Sequence, residues 1–196
     1  YELTFSATGF TNITANFSVI DSGLSVLQEP QNTTAGATIN EIQVLFENLT
    51  SDPVPNANLT ISFGEGGVFS SGTTTQTTNA SGIAVFDDLV ITQAGTYRLR
   101  IDSDDSFDFI LTQQFTISPD APAQILITQE PLNTVLNNLI QGPPSVRVTD
   151  QYANPVSSEP VLVERNDSLA FTSGTTILNT DQQGEATFGD LLIDQE

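Results

Sequence analysis

A stretch of about one hundred residues recurs in this chain, and any fold proposed for it must be built from that unit. Gln28-Glu29-Pro30 returns as Gln129-Glu130-Pro131, and Asn32-Thr33 as Asn133-Thr134, at an offset of 101. From Val44 onward the offset is 102 and needs no further gap. Pro53-Val54 becomes Pro155-Val156, and Ser71-Gly72-Thr73-Thr74 becomes Ser173-Gly174-Thr175-Thr176. Gly82, Ala84, Phe86, Asp88-Leu89 and Ile91 become Gly184, Ala186, Phe188, Asp190-Leu191 and Ile193. Residues 41–94 laid on 143–196 share 16 identities in 54 positions, which points to duplication.

The first residues fit the same scheme. Tyr1-Glu-Leu3-Thr-Phe5 matches Tyr97-Arg-Leu99-Arg-Ile101, and Phe17-Ser-Val19 matches Phe115-Thr-Ile117. Residues 1–22 therefore read as the C-terminal strands of a preceding repeat. Residues 24–118 read as a complete repeat, and 123–196 as a repeat lacking its last strands. The junctions, Asp21-Ser22-Gly23 and Ser118-Pro119-Asp120-Ala121-Pro122, are short and polar, and two prolines stiffen the second.

Within a repeat, apolar residues alternate with polar ones, the signature of half-buried strands. Ile42, Val44 and Phe46 face one way, Glu41, Gln43 and Glu47 the other. Leu59, Ile61 and Phe63 alternate in the same manner, as do Tyr97, Leu99 and Ile101. Thr, Val, Ile and Phe suit a pleated sheet. The runs are separated by turn residues such as Ser51-Asp52-Pro53, Gly64-Glu65-Gly66-Gly67 and Asn79-Ala80-Ser81-Gly82. No stretch combines a helix cap with a 3.6 period. About seven short strands in about 95 residues predict an all-β chain of tandem immunoglobulin-like, Greek-key β-sandwich repeats. Tyr97, at the start of a late strand, stands where a tyrosine corner would be. The pattern places Ile42, Val44, Phe46, Leu59, Ile61, Phe86, Leu89, Tyr97, Leu99, Phe115 and Ile117 inside.

Composition removes several function classes. The 196 residues carry 24 acids and four cations, all arginine, for a net charge of −20, and lack Lys, His, Cys, Met and Trp. Without Cys or His there is no zinc site of the usual kind, no thiol nucleophile and no Ser-His-Asp triad. Without Lys there is no P-loop, Schiff base or Lys–Asn isopeptide crosslink. The charge opposes binding to nucleic acid or to anionic lipid. No apolar run is long enough to span a bilayer, so direct membrane insertion is not expected. Regularly recurring Val, Ile, Leu and Phe argue against disorder. A first residue of Tyr and the absence of Met suggest an interior piece of a longer or processed chain.

The chain resembles the bacterial immunoglobulin-like (Big-type) tandem repeats of giant cell-surface adhesins, similar to those of gliding Bacteroidota. The resemblance rests on Pro-x-Asn-Thr with Ala35-Gly36, on Ile42-Gln43-Val44 leading to Pro53-Val54, and on Ser-Gly-Thr-Thr. It continues through Asn79-Ala80-Ser81-Gly82-Ile83-Ala84-Val85-Phe86-Asp87-Asp88-Leu89 and Ala94-Gly95-Thr96-Tyr97-Arg98-Leu99. It covers nearly the whole chain, specifies the repeat type and leaves the function open. It implies a secreted, extracellular, cell-surface stalk or filament segment, or a weak binding module, with no catalytic residues. The third repeat departs from the pattern: Asn137-Asn138 stands where Gly36 stood, and Arg165 takes the place of Phe63. Its sandwich is expected to be less regular there.

Among candidate sites, the acidic run at 102–108 offers Asp102, Asp104, Asp105 and Asp108 to calcium, the one cofactor the sequence leaves open. The spacing is not that of an EF-hand, and the matching stretch 6–16 has no acid, so a solvated acidic turn explains the run as well. Asp87-Asp88 and Asp150 are carboxylates of the type used in glycoside hydrolysis, but no cleft is evident to set their environments apart. Asp88 also recurs as Asp190 in a repeated turn, as a structural residue would. Asn-x-Ser/Thr sequons occur at Asn12, Asn16, Asn32, Asn48, Asn58, Asn79 and Asn166. The resemblance adds Ser168, in a short Asp-Ser-apolar O-glycosylation pattern. Arg98 and Arg100 share an outward face; a carboxylate or sugar partner could use them, but pairing within the chain with a neighbouring strand is the expectation.

The expected function is therefore a non-catalytic structural segment of an extracellular cell-surface adhesin. The alternative is an immunoglobulin-like module binding carbohydrate or protein. The expected partners are neighbouring repeats of the same or an identical chain, with any surface glycan or protein ligand held elsewhere in the parent protein. The short linkers suggest repeats meeting end to end. The two chain ends read as complementary halves of one domain, completed by neighbours in a longer chain or by another copy.

Overall fold

The computed structural model describes all residues except 1, 12, 17–22, 105–108, 168 and 195–196. Among the described residues every regular element is a strand. In chain order these are β1 (Glu2–Phe5), β2 (Ile13–Asn16), β3 (Gly23–Gln28), β4 (Thr33–Thr34), β5 (Ile42–Glu47) and β6 (Asn58–Phe63). There follow β7 (Thr75–Thr77), β8 (Ile83–Phe86), β9 (Gly95–Tyr97), β10 (Leu99–Ser103), β11 (Phe109–Leu111) and β12 (Phe115–Ser118). The last five are β13 (Gln124–Gln129), β14 (Ser145–Thr149), β15 (Pro160–Leu162), β16 (Ile177–Asn179) and β17 (Glu185–Thr187).

The chain divides into two compact units. One takes in residues 1–32, 38–90 and 96–116, the other 33–37, 91–95 and 117–196. In the first unit a sheet of order β3-β5-β8 packs against one of order β11-β10-β6-β7. Alternation supplies the inner faces. Ile42, Val44 and Phe46 of β5, Leu59 and Ile61 of β6, Ala84 and Phe86 of β8, and Leu99 and Ile101 of β10 are all buried. Every residue of the predicted core is buried, Tyr97 and Ile117 included. Tyr97 stacks edge-on to Phe63 at 5.3 Å and lies 6.3 Å from Phe115. A buried ring in this setting pushes its phenol pKa up by desolvation.

Over residues 23–118 the described residues form ten strand segments where about seven strands were expected. Three of the expected strands change sheet partway: β3 passes to β4, β9 to β10 and β11 to β12, with β4, β12 and β9 forming their own hydrogen-bonded group. Such transfers are how twisted sandwiches turn their corners. β4 and β12 run parallel, Thr33 opposite Ile117 and Thr34 opposite Ser118.

In the second unit β13-β14-β17 and β15-β16 are the counterparts of β3-β5-β8 and β6-β7. Their core is Val148, Val161, Ala186, Phe188 and Leu191, with Ile140, Val146, Val156, Val163, Phe171 and Leu178 half-buried around it. Backbone exceptions recur at the repeat offset. Ser51 and Asn56 have left-handed φ of 58° and 60°, and Ala153 and Ser158 have 67° and 62°. Asn137 (φ 65°) keeps the conformation of Gly36 (φ 80°), so that sequence departure preserves the turn, because Asn tolerates left-handed φ. β15 stops at Leu162, where β6 runs on to Phe63. β15 pairs with β16 over the same positions as β6 with β7, and residues 61–63 of β6 extend the strand by pairing with β10. Arg165 ion-pairs with Asp167 and reaches the Ala170 carbonyl at 3.5 Å.

Candidate functional site

The residues identical between repeats converge on backbone turns, and the geometry shows what each one does. Asp88 accepts the Thr73 N–H at 2.8 Å and the Thr73 hydroxyl at 2.7 Å. Asp190 repeats this with Thr175 at 2.9 and 2.8 Å. These hydrogen bonds hold both carboxyls below the usual carboxylate range, the bond from the threonine backbone contributing most. Gly72 and Gly174 lie under the same turns at φ 117° and 120°, and a Cβ there would meet the Asp88 or Asp190 carbonyl at 2.7 or 2.6 Å. Asn79 Oδ1 accepts the Ser81 and Ile83 N–H groups, and Asp181 does the same for Gln183 and Glu185.

The turn after β14 carries a polar cluster that has no copy of equal burial. In the middle repeat Asn48 Oδ1 accepts the N–H groups of Thr50 and Asp52, on an exposed turn. At the corresponding positions Asp150 Oδ1 accepts from Tyr152 and Asn154, both at 2.8 Å. Here acid and amide have exchanged places, and both are buried, Asp150 at 0% exposure and Asn154 at 6%. The extra carboxylate oxygen, Asp150 Oδ2, accepts the Asp120 N–H at 2.9 Å and Asn154 Nδ2 at 2.8 Å. Asn154 also donates Nδ2 to the Thr92 carbonyl and accepts the Ala94 N–H, each at 2.8 Å. Tyr152 lies against Gly36, where a Cβ would come within 2.0 Å of the phenol oxygen. Within the second unit, the 150–154 turn thus binds segments 33–37, 91–95 and 120 together. Burial pushes the Asp150 carboxyl up, but the hydrogen bonds from Asn154, Asp120 and Tyr152 outweigh it and hold the group below its ordinary value. A carboxylate so fully engaged has no oxygen lone pair arranged for acid–base chemistry. Sequence alone offered Asp150 as a free carboxylate; the one hint of its role was the Asp-x-x-x-Asn spacing mirrored by Asn48 and Asp52.

The calcium candidates are only partly visible. Arg100 holds the Asp102 carboxylate with Nε at 2.9 Å from both oxygens and Nη2 at 2.6 Å from one, and its guanidinium lies 4.0 Å over the Phe109 ring. Arg100 is therefore paired within its own strand, not with a neighbouring strand as the sequence led one to expect, because Asp102 two residues on shares its face. Asp104 is exposed and donates its backbone N–H to the Asn58 carbonyl. Asp105 and Asp108 lie outside the described residues. Among the described residues no three potential ligands of the His, Cys, Asp and Glu types converge on one point.

Of the sequons, Asn32, Asn48, Asn58, Asn79 and Asn166 are exposed. Four of these use the side-chain carbonyl to fix local backbone or a neighbouring hydroxyl. Asn32 accepts from Thr116, Asn48 from Thr50 and Asp52, Asn58 from Thr77, and Asn79 from Ser81 and Ile83. Asn12 and Ser168 lie outside the described residues, as does the Asn16 side chain.

No protein-family model matches the chain, and no curated protein does. Solved structures similar to it come from bacterial adhesins. The D0-D1 domains of intimin match at 17% identity and TM-score 0.39, over 89% of this chain and 86% of that one. The Escherichia coli adhesin FdeC matches at 16% identity and TM-score 0.46, over 92% of this chain and 60% of that one. The Yersinia pseudotuberculosis adhesin InvE matches at 17% identity and TM-score 0.41, over 89% of this chain and 53% of that one.

Proposed function

We propose that this chain is a non-catalytic, load-bearing segment of an extracellular cell-surface adhesin, a stalk or filament built of tandem immunoglobulin-like repeats. The observation that carries this reading is the pairing of the two ends of the complete repeat. β4 lies near its start and β12 at its end, and they run parallel. Tension along the chain pulls such strands past each other, so their hydrogen bonds are loaded together rather than opened one at a time. The pair is reinforced on both sides. Ala35 N–H reaches the Ser118 carbonyl at 2.8 Å, Thr116 N–H the Asn32 side chain at 2.8 Å, and Gln113 N–H the Glu29 carboxylate at 2.9 Å.

Two further features support the reading. The residues shared by the repeats serve turns and core, and the shared carboxylates Asp88 and Asp190 are engaged by threonine. The 150–154 turn ties residues 92, 94 and 120 together within the second unit, which suits a structural segment. A net charge of −20 keeps such a surface solvated and apart from nucleic acid and anionic membranes.

The test is a binding panel of glycans and host extracellular proteins run alongside mechanical pulling of the same chain. A stalk gives no saturable binding and resists force. Saturable binding abolished by substitutions in the exposed loops would favour the ligand-module reading instead.

A further inference from the structure

The residues through which β4 and β12 pair, Thr33 with Ile117 and Thr34 with Ser118, all lie inside the second unit. A ladder this short opens locally before the structure around it unless its ends are held. Its N-terminal side is braced by Asn32 and Glu29, which accept from the Thr116 and Gln113 N–H groups. The C-terminal side is held differently. Because the strands run parallel, both chains leave the pair on that side, and the Ala35 N–H closes it on the Ser118 carbonyl at 2.8 Å.

The 150–154 turn meets the chain just past both strand ends. Gly36 follows β4 by two residues, and Tyr152 lies so close over it that a Cβ would come within 2.0 Å of the phenol oxygen. Asp120 follows β12 by two residues. Its N–H is held by Asp150 Oδ2, and its carboxylate accepts Gln151 Nε2, each at 2.9 Å. The third strand of that sheet, β9, is entered through Thr92 and Ala94, both bonded to the Asn154 side chain. The Gly36 N–H also reaches the Ile91 carbonyl at 2.9 Å. One turn therefore touches the approach to every strand of the β4-β12-β9 sheet, and all of these contacts fall within the second unit. The turn is itself held in shape, since Asp150 Oδ1 takes the Tyr152 and Asn154 N–H groups.

We propose that Asp150, Tyr152 and Asn154 are positioning residues for the β4–β12 pair: the turn holds the two strand ends together and so sets the force at which the pair shears. The inference rests on the load-bearing reading and deepens it. By sequence the paired strands belong to the complete repeat and the turn to the repeat that follows. The strength of one repeat is thus set by side chains of the next. The 48–52 form of the turn does not carry this set, having Thr50 in the place of Tyr152 and an amide, Asn48, in the place of Asp150.

The experiment follows amide hydrogen exchange in the 196-residue chain and in Tyr152→Ala, Asn154→Ala and Asp190→Ala. Ala35 N–H reports the pair, and Val148 N–H, bonded to the Gly184 carbonyl at 2.8 Å, reports the core of the second unit. A loss of overall stability moves both amides alike. In the two turn variants Ala35 is expected to exchange about tenfold faster beyond any change at Val148, the effect of roughly one net hydrogen bond. Asp190→Ala, which removes the acceptor of Thr175 in the same unit, should move the two amides together. Tyr152 is 38% exposed, so its truncation keeps the test open even if Asn154→Ala fails to fold. Pulling the same proteins should show a lower unfolding force for the complete repeat in the turn variants and not in Asp190→Ala. Ala35 and Val148 moving together in both turn variants would overturn the proposal. So would a force that Asn32→Ala lowers and neither turn variant does. A force indifferent to Asn32→Ala as well would count against the load-bearing reading, while exchange at Ala35 still decides whether the turn holds the pair.

Discussion

Asp150 and Asn154 are joined twice: one carboxylate oxygen takes the Asn154 backbone N–H and the other its side-chain amide, both at 2.8 Å. The same turn in the middle repeat holds Asn48 and Asp52, exposed and, among the described residues, hydrogen-bonded within the turn itself. One local motif thus serves as a surface turn in one copy and as a buried tie within the second unit in the other. The difference lies in the second carboxylate oxygen, which the amide of Asn48 cannot supply, and in the amide donors of Asn154, which Asp52 lacks.

Replacing Asp150 by Ala leaves the Asp120 N–H and the Asn154 amide without their acceptor inside a buried cluster. The expected loss is about 2–3 kcal/mol, the range for hydrogen bonds to a buried charge, read from denaturant unfolding of the second unit. Asn154→Asp should also destabilise, since a carboxylate there faces both Asp150 and the Thr92 carbonyl. Asn48→Asp, on the exposed turn, should change little. Equal effects at 48 and 150 would contradict the asymmetry.

Acid should weaken these carboxylate bonds. The folded pKa values of Asp150, Asp88 and Asp190 lie below their ordinary values. Their contribution is therefore complete above the unfolded value of about 4 and is lost as pH falls through the folded value. Relief of self-repulsion on approach to the isoelectric point of 4.1 acts in the opposite direction. Comparing wild type with Asp150→Asn cancels that common term. The wild-type advantage should be constant from pH 7 to pH 5 and shrink below about pH 4. An advantage that grows on acidification would refute the assignment.

Gly82 and Gly184 occupy φ 72° and 74°, with space for a Cβ denied by the Phe46 and Val148 carbonyls at 2.6 and 2.5 Å. Alanine at either position should cost about 1–3 kcal/mol through backbone strain alone, before the contact is counted. Gly189 has an ordinary φ and open space around its would-be Cβ. Gly189→Ala should be neutral or stabilise by about 0.5 kcal/mol, by narrowing the unfolded ensemble. Thermal melts of the three variants decide this.

The alternation of Ile42, Val44 and Phe46 was sufficient to assign their face because register in a half-buried sheet has a period of two. Repeat identities located the Asp88–Thr73 and Gly72 turn, since both copies preserve the same hydrogen bonds. The sheet changes near Arg98 and after Leu111 left no mark, because strand residues look alike whichever sheet they join. The burial of Asp150 was equally hidden. Its cause is the approach of residues 92, 94 and 120, distant in sequence from the turn itself. The calcium and glycosylation candidates rest on loops where composition alone does not define geometry.

The most direct test of the load-bearing account is single-molecule pulling of the chain from its two ends. Residues 24–118 should resist and then unfold in one step, releasing roughly 300 Å at about 3.4 Å per residue. Asn32→Ala, which removes the acceptor of the Thr116 N–H, should lower the unfolding force without altering the step length. Gradual lengthening at low force, unchanged by Asn32→Ala, would contradict a clamp between β4 and β12 and with it the proposed role.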